Sequence, residues 1–295
     1  MIKNIAKLFE IVGKEHHEEA IRWIEEFSKV DESRFGVIKV GGASVRDYLD
    51  DFCDGVSILA SLGLYTPVVY GYGEQLDARL KSAGITPRKH PVTNDRITTA
   101  DVIHYVSGIA YESGHLIVKQ LKRRGIRARL LDEVFTAEAK HLDGVEEEHY
   151  TGEVKSVNVE EVKQLIAGRI VPVIPPLGFS EDGRVKFNVN GDTAANGLVY
   201  ALKPLKYILV NDKGGIKDSS GNLIQTVVLE RDYQNLIDTN TVTGGMRKKL
   251  DEIKAILENL AGEGYAPSVQ ISHPQNLVRE LFTNTGMGTY IIKKI

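Results

Sequence analysis

Ile38-Lys39-Val40-Gly41-Gly42-Ala43 and Val69-Tyr70-Gly71-Tyr72-Gly73 are the stretches on which the fold turns. In each, a short β-branched run meets glycine and then a helical pattern, as when a strand enters a helix through a tight turn. Similar runs recur at 35–40, 66–70, 127–131, 169–174, 206–210 and 269–272, and helical periodicity fills 45–62, 74–83, 98–124, 159–167, 193–202 and 246–260. This alternation predicts an α/β fold, a mainly parallel central sheet sandwiched between helices. Stretches 151–157 and 184–189 read as antiparallel strands of a lid or side sheet, and 261–264, Ala-Gly-Glu-Gly, as a soft joint. Neither an internal repeat nor a low-complexity segment interrupts the pattern.

Ahead of this frame, Ile5, Leu8, Phe9 and Val12, then Ala20, Ile21, Trp23, Ile24 and Phe27, recur at helical spacing. Residues 1–29 thus form an N-terminal helical extension, packed on its own domain or serving as an oligomer contact, and 30–295 form the main domain. With 295 residues, 42% of them hydrophobic, the chain can bury a full core. A formal charge of −3 offers no basic field for nucleic acid, and no apolar run reaches the roughly 20 residues of a membrane span. One cysteine, Cys53, excludes an internal disulfide and any cysteine-based zinc site, and suits a reducing compartment. Glu10, Glu15, Glu18, Glu19, Glu25 and Glu26 make the N-terminus unlike a transit peptide or secretory signal, so the expected location is the cytoplasm.

The glycines of both turns let backbone N–H groups approach phosphate oxygens, and Lys39 stands near the carboxyl end of its strand, where α/β sheets bind ligands. The pattern is neither a Walker A loop nor a dinucleotide fingerprint. Asn188-Val189-Asn190-Gly191-Asp192 and Gly244-Gly245-Met246-Arg247-Lys248-Lys249 each open a further helix. Together these segments supply amides, a carboxylate and cations, a set suited to bringing a polyphosphate and a carboxylate together for transfer.

The order Lys39-x-Gly-Gly, Gly71-x-Gly73, Arg96-Ile-Thr, Asn188-x-Asn190-x-Asp192, Gly245-Met-x-x-Lys249 resembles the amino-acid kinase family, N-acetylglutamate kinases in particular, over about residues 30–295. Gly152-Glu-Val-Lys-Ser-Val157, Asn211-Asp-Lys-Gly-Gly-Ile216, Gly244-Gly-Met-Arg247 and Leu281-Phe-Thr-Asn-Thr-Gly-Met-Gly-Thr289 are similar to the branch in which an acetyltransferase domain follows the kinase, as in fungal enzymes and bacterial synthase/kinase fusions. The resemblance implies a carbamate-kinase-like fold, with an acid-substrate lobe of about 30–190 and a nucleotide lobe of about 191–295. It also implies a homo-oligomer, and an acetyltransferase domain either missing from these residues or absent from the protein.

Carried over by residue, Lys39 and Lys249 would neutralise charge on the transferring phosphoryl group and Asp192 would orient both lysines. N–H groups of the turns Gly41-Gly42 and Gly71-Tyr72-Gly73 would hold the γ-phosphate, chiefly those around Gly42 and Tyr72. Arg96, Asn188 and Asn190 would bind N-acetyl-L-glutamate, Arg96 by a bidentate fork, and Asn211, Asp212, Lys213 and Gly214 would form the nucleotide-side loop. ATP is the implied donor and Mg²⁺ would be held mainly by its phosphates, with no protein residue assigned to the metal. The implied reaction is direct attack of the γ-carboxylate on ATP, giving an acyl phosphate in arginine biosynthesis without a covalent intermediate or a catalytic base.

Aspartate, glutamate, carbamate and nucleoside monophosphates are acceptors elsewhere in the superfamily; Arg96-Ile-Thr and Asn188-Val-Asn favour N-acetylglutamate. Tyr70, Tyr72 and Glu74 replace the family's usual His, small residue and Pro, which predicts a ring and a carboxylate beside the phosphates. The rival reading is a catalytically weakened domain retained to bind L-arginine and regulate a synthase. Asn94 stands two residues before Arg96, where the family prefers glycine, and tolerates positive φ. Glu280 matches an arginine-contacting position of arginine-sensitive relatives, with Gly286 and Gly288 in the accompanying loop; otherwise it reads as a solvated helix residue.

Overall fold

The computed structural model describes residues 5–262, 265–284 and 286–294. Strand β1 (Gly36–Val40) leads through helices α1 (Ile5–Val12) and α2 (His17–Ser28) behind it to α3 (Gly42–Asp47) and α4 (Leu49–Ser61) ahead. There follow β2 (Val68–Tyr70), α5 (Gly73–Ser82), α6 (Ala100–Arg123), β3 (Ala128–Leu130), β4 (Phe135–Ala139), β5 (Thr151–Val157) and α7 (Glu160–Ala167). Next come β6 (Val171–Ile174), β7 (Leu177–Phe179), β8 (Lys186–Val189), α8 (Gly191–Leu202), β9 (Lys206–Val210), β10 (Thr226–Val228) and α9 (Leu229–Asp238). The chain continues through α10 (Gly244–Leu260), β11 (Ser268–Ser272), α11 (Leu277–Phe282) and β12 (Thr289–Ile292).

Eight strands form one sheet in the order β10-β12-β11-β9-β1-β2-β6-β3, parallel throughout except for the β11–β12 pair. β1 sits near the middle, between β2 and β9, with Lys39 opposite Val69 and Leu209. Its buried, nearly continuous apolar sequence is what a strand covered on both faces requires. Alternate residues serve opposite cores. Ile38, Val40 and Ile208 pack with α4 and α6, whereas Val37, Tyr207 and Leu209 pack with α7, α8 and α10.

All six main-sheet strands read from the alternation are present, and 206–210 matches to the residue. The helical stretch 45–62 is two helices, because Tyr48 at φ −131° and ψ 30° breaks the run. The side sheet is a small closed barrel, β4-β5-β8-β7, and its two foreseen strands pair parallel to each other. Their antiparallel character holds against other neighbours. β5 runs antiparallel to β4 and β8 to β7, strands whose short sequences gave no signal, and β8 itself begins at Lys186. Two glycines make so tight a barrel possible: a Cβ at Gly178 would lie 2.3 Å from that of Ala137, and one at Gly152 would lie 2.6 Å from that of Phe187.

The N-terminal helices pack on their own domain. Leu8, Val12 and Ala20 are fully buried, and Phe27 meets Phe35 and Phe282 edge to face. Residues 1–4 of that extension lie outside the described residues, as do Glu263 and Gly264 of the soft joint; beside them Gly262 bridges Tyr265. Among the described residues no helix is long and apolar enough to cross a membrane.

Candidate active site

Three turns meet above the carboxyl end of β1. Gly41 donates its N–H to Val210 O at 3.0 Å and Gly71 donates to Val40 O at 2.8 Å, so both turns are tied into the sheet. They are also pressed together, since a Cβ at Gly71 would stand 2.9 Å from the Gly42 nitrogen. The N–H groups of Gly42 and Gly73 open the first turns of α3 and α5, where a helix has no internal acceptor for them. Gly191, opening α8, completes the group; a Cβ there would lie 3.6 Å from Lys39 Cε.

Asp192 lies between two ammonium groups. Lys39 Nζ is 2.7 Å from Oδ1 and Lys249 Nζ is 2.9 Å from Oδ2. Burial alone would raise the Asp192 pKa, but Lys39 and then Lys249 outweigh it and hold the carboxyl well below the usual carboxylate range. Asn190 caps α8, its Oδ1 accepting the Asp192 N–H at 2.9 Å. One carboxylate against two cations leaves a net positive charge at the strand ends, the electrostatic condition for an anion.

Two cavities flank this point. The smaller, about 190 Å³, is lined by Gly71, Tyr72, Arg96, Asn188 and Asn190 among others. Arg96 is not a bare fork, because it pairs with Asp77 of α5 and donates to Gly73 O at 3.1 Å. Asn94 before it adopts φ 58°, the left-handed backbone its sequence position permits. Asn188 on β8 donates from Nδ2 to Thr98 Oγ1 and accepts at Oδ1 from the Tyr72 hydroxyl, both at 2.9 Å. Asn190 Nδ2 donates to Asp95 Oδ1 at 2.9 Å.

The expected crowding of the phosphate turn is corrected. The Tyr72 side chain is buried and turns toward Asn188, Tyr70 sends its hydroxyl to Ala110 O on α6 at 2.7 Å, and Glu74 pairs with Arg46 at the surface. Tyr70 fits only because residue 114 is glycine, where a Cβ would be 2.3 Å from the phenol oxygen.

The larger cleft, about 740 Å³, is lined by Asn211, Asp212, Lys213, Gly245, Lys248 and Lys249 among others. Asn211 Oδ1 accepts the N–H groups of Lys213 at 2.9 Å and Gly214 at 2.8 Å, which curls the loop, while Gly214 at φ 73° backs onto His273. Asn190 and Asp192 line this cleft too, Asn190 facing both cavities.

Glu280 stands elsewhere, on α11, and is not solvated: it is 1% exposed and accepts N–H bonds from Met287 and Gly288. Burial pushes its pKa up to about 7. A Cβ at Gly286 or Gly288 would collide with its carboxylate, so both glycines admit the buried group. Thr285 of the same loop lies outside the described residues. Nearby, buried Lys206 sits 3.4 Å above the Trp23 ring and donates to Gln270 Oε1 at 3.2 Å.

Sequence reading missed several participants. Asp95, 2% exposed, is held between Asn190 and Lys140; Lys248 Nζ donates to Thr93 O at 2.7 Å; Glu252 receives a hydrogen bond from Asn196. Only Asp95 carried a local hint, by preceding Arg96. The others come from packing.

The profile of the amino acid kinase family matches residues 34–264. An acetylglutamate kinase of Xylella fastidiosa is 37% identical over 276 residues, covering 92% of this chain and 63% of the relative. The Neurospora crassa protein arg-6, mitochondrial, is 34% identical over 275 residues, 92% of this chain and 30% of its own. In fold, the chain is similar to N-acetylglutamate synthase from Neisseria gonorrhoeae, solved with coenzyme A and either N-acetyl-glutamate or L-arginine. The TM-scores are 0.79 and 0.78 at 22% and 21% identity, covering 95% of this chain and 63% and 65% of those chains. The chain therefore spans about 63% of the Xylella relative's length.

Proposed function

The chain belongs to the amino acid kinase family, and on that premise we propose that it is an N-acetylglutamate kinase, phosphorylating the γ-carboxylate of N-acetyl-L-glutamate from ATP. The observation that carries the reading is Asp192 held between Lys39 and Lys249, two residues from Asn190, which lines both cavities. Lys39 and Lys249 neutralise the charge that spreads over the equatorial oxygens during transfer, and Asp192 holds both in place. The N–H groups at Gly42, Tyr72 and Gly73 take the γ-phosphate, with Gly41 and Gly71 anchoring the turns.

Arg96, braced by Asp77, and Asn188 bind the acid's carboxylate end, while Asn190 shapes the pocket as the cap of α8. Asn211, Asp212, Lys213 and Gly214 face the nucleotide, whose size suits the larger cleft. Mg²⁺ supplies charge neutralisation and travels with the triphosphate; the lysine-rich lining fits an anion rather than a protein-held metal cage. The acid carboxylate is already a nucleophile at neutral pH, so these residues position and stabilise rather than abstract a proton.

Residues 30–190 supply the acid side and 191–295 most of the nucleotide side. The proposal extends to a homo-oligomer in contact through the exposed Ile5 and Ile21 of α1 and α2, to a cytoplasmic location, and to an acetyltransferase domain as a companion activity. Glu280, Gly286 and Gly288 are the candidate contacts for an L-arginine effector, supported by a buried carboxylate beside Lys206 and Trp23.

The test is ATP-dependent acyl-phosphate formation from N-acetyl-L-glutamate, trapped with hydroxylamine, with and without L-arginine. Robust trapping that aspartate and glutamate do not match supports the kinase. No trapping by folded protein with Mg²⁺ present assigns the domain to regulation instead.

A further inference from the structure

A relay of hydrogen bonds runs beneath the smaller cavity. The Tyr72 hydroxyl donates to Asn188 Oδ1 at 2.9 Å, Asn188 Nδ2 donates to Thr98 Oγ1 at 2.9 Å, and Thr98 Oγ1 donates to Arg96 O at 3.3 Å. Tyr72 is 3% exposed, Thr98 is fully buried and Asn188 is 8% exposed, so water does not substitute freely for these partners.

An asparagine amide can be turned either way round, and its neighbours decide which end is the donor. Were Asn188 reversed, Nδ2 would donate to the phenol, and the Tyr72 proton would be left with Pro176 O at 3.5 Å. That is a far weaker bond than the one at 2.9 Å to Asn188 Oδ1 that it would replace. The phenol proton therefore selects the orientation in which Oδ1 lies toward Tyr72 and Nδ2 toward Thr98. One Nδ2 hydrogen is spent on Thr98; the second is left for the cavity that Asn188 lines.

We propose that Tyr72 is a positioning residue for acid binding: its hydroxyl fixes the Asn188 amide so that an N–H, and not a carbonyl oxygen, is offered to the substrate carboxylate. This rests on the reading of Asn188 as a ligand of the acid. Phenylalanine at position 72 keeps the ring and removes the proton that makes the choice, so the amide populates both orientations and half-repels the anion. The effect falls on capture of the acid, because phenylalanine leaves the residue-72 backbone N–H given to the γ-phosphate in place and the side-chain relay makes no bond to Lys39, Asp192 or Lys249.

The experiment measures kcat, KM for N-acetyl-L-glutamate and KM for ATP in wild type, Y72F, N188A and the double variant, with melting curves for each. Expected are a rise in acid KM of about fivefold in Y72F, the loss of one hydrogen bond's worth of affinity, with ATP KM and kcat moving less than about twofold. N188A raises acid KM further, and Y72F adds nothing on top of it, the non-additivity of residues acting through one another. A general packing defect would shift ATP KM and kcat as well.

If N188A leaves acid KM in place, the reading of Asn188 fails and the proposal with it. If N188A raises acid KM but Y72F does not, or if the two effects add, only the role given to Tyr72 fails. Should Y72F not fold, Thr98→Val separates the two partners of the amide: the phenol proton still sits on Oδ1, so the orientation survives and acid KM should move less than about twofold, whereas a rise as large as that of N188A would make Thr98 the selector and overturn the proposal.

Discussion

Replacing Glu280 by glutamine should remove a downward slope of stability with pH. The carboxyl group is buried on α11 and its pKa is pushed up by burial to about 7, against an ordinary value of 4.5. Between those values the folded protein keeps a proton that the unfolded chain has released. The contribution is therefore complete below about pH 4.5 and is lost as pH rises through about 7. The interval of 7 less 4.5, at 1.36 kcal/mol for each pH unit, is about 3 kcal/mol. Glutamine imitates the protonated side chain, with an acceptor oxygen for the Met287 N–H and no charge. Buried Lys206, whose pKa burial drives well down, acts in the opposite sense, but it is common to both proteins and drops out of their difference to first order. Urea unfolding at a series of pH values between 5 and 8 should show the variant gaining on the wild type by up to about 3 kcal/mol toward the alkaline end. Curves that stay parallel across that range would show that the folded carboxyl is already ionised, and the argument from burial would be refuted.

Lys249→Ala should lower kcat about a hundredfold or more with a smaller change in either KM, as expected for a charge used in the transition state; near-normal turnover measured by hydroxylamine trapping removes Lys249 from the reaction. Arg96→Ala should raise acid KM and also destabilise by about 1–3 kcal/mol, because Asp77 loses its partner. Adding Asp77→Asn should recover the melting temperature but not the KM, and recovery of both would make Arg96 purely structural. Gly71→Ala puts a Cβ 2.9 Å from the Gly42 nitrogen, so the two turns must part; ATP KM should rise and kcat fall with circular dichroism unaltered, and wild-type kinetics would exclude these turns from phosphate binding.

How far the sequence could be read depended on where each signal was local. The parallel strands announced themselves because burial on both faces demands nearly continuous apolar runs such as Gly36–Val40 and Lys206–Val210, each with a single lysine. β4 and β7 did not, since Phe-Thr-Ala-Glu-Ala and Leu-Gly-Phe are set by closure of a barrel in which Gly178 and Ala137 touch. At the site, Lys39, Asp192 and Lys249 were legible from motifs that open helices, and the structure brings them together. Asp77, Asp95 and Lys248 were not, because their meaning lies in partners far along the chain: Lys248 reaches Thr93, and Asp95 reaches Lys140 and Asn190. Tyr72 was read as an obstacle because a sequence does not show which way a side chain turns; 116 positions along the chain from it, Asn188 gives its hydroxyl a destination.

The ion pairs of Asp192 also bear on how the molecule is made. Lys249 lies 57 positions from it along the chain and Lys39 still farther, on the other side. Contacts of such separation are closed late, after local helices and hairpins have formed, since the loop entropy must be met first. Recovery of the proposed phosphoryl transfer on dilution from denaturant should therefore trail recovery of helical signal, which would make turnover itself a gauge of completed folding.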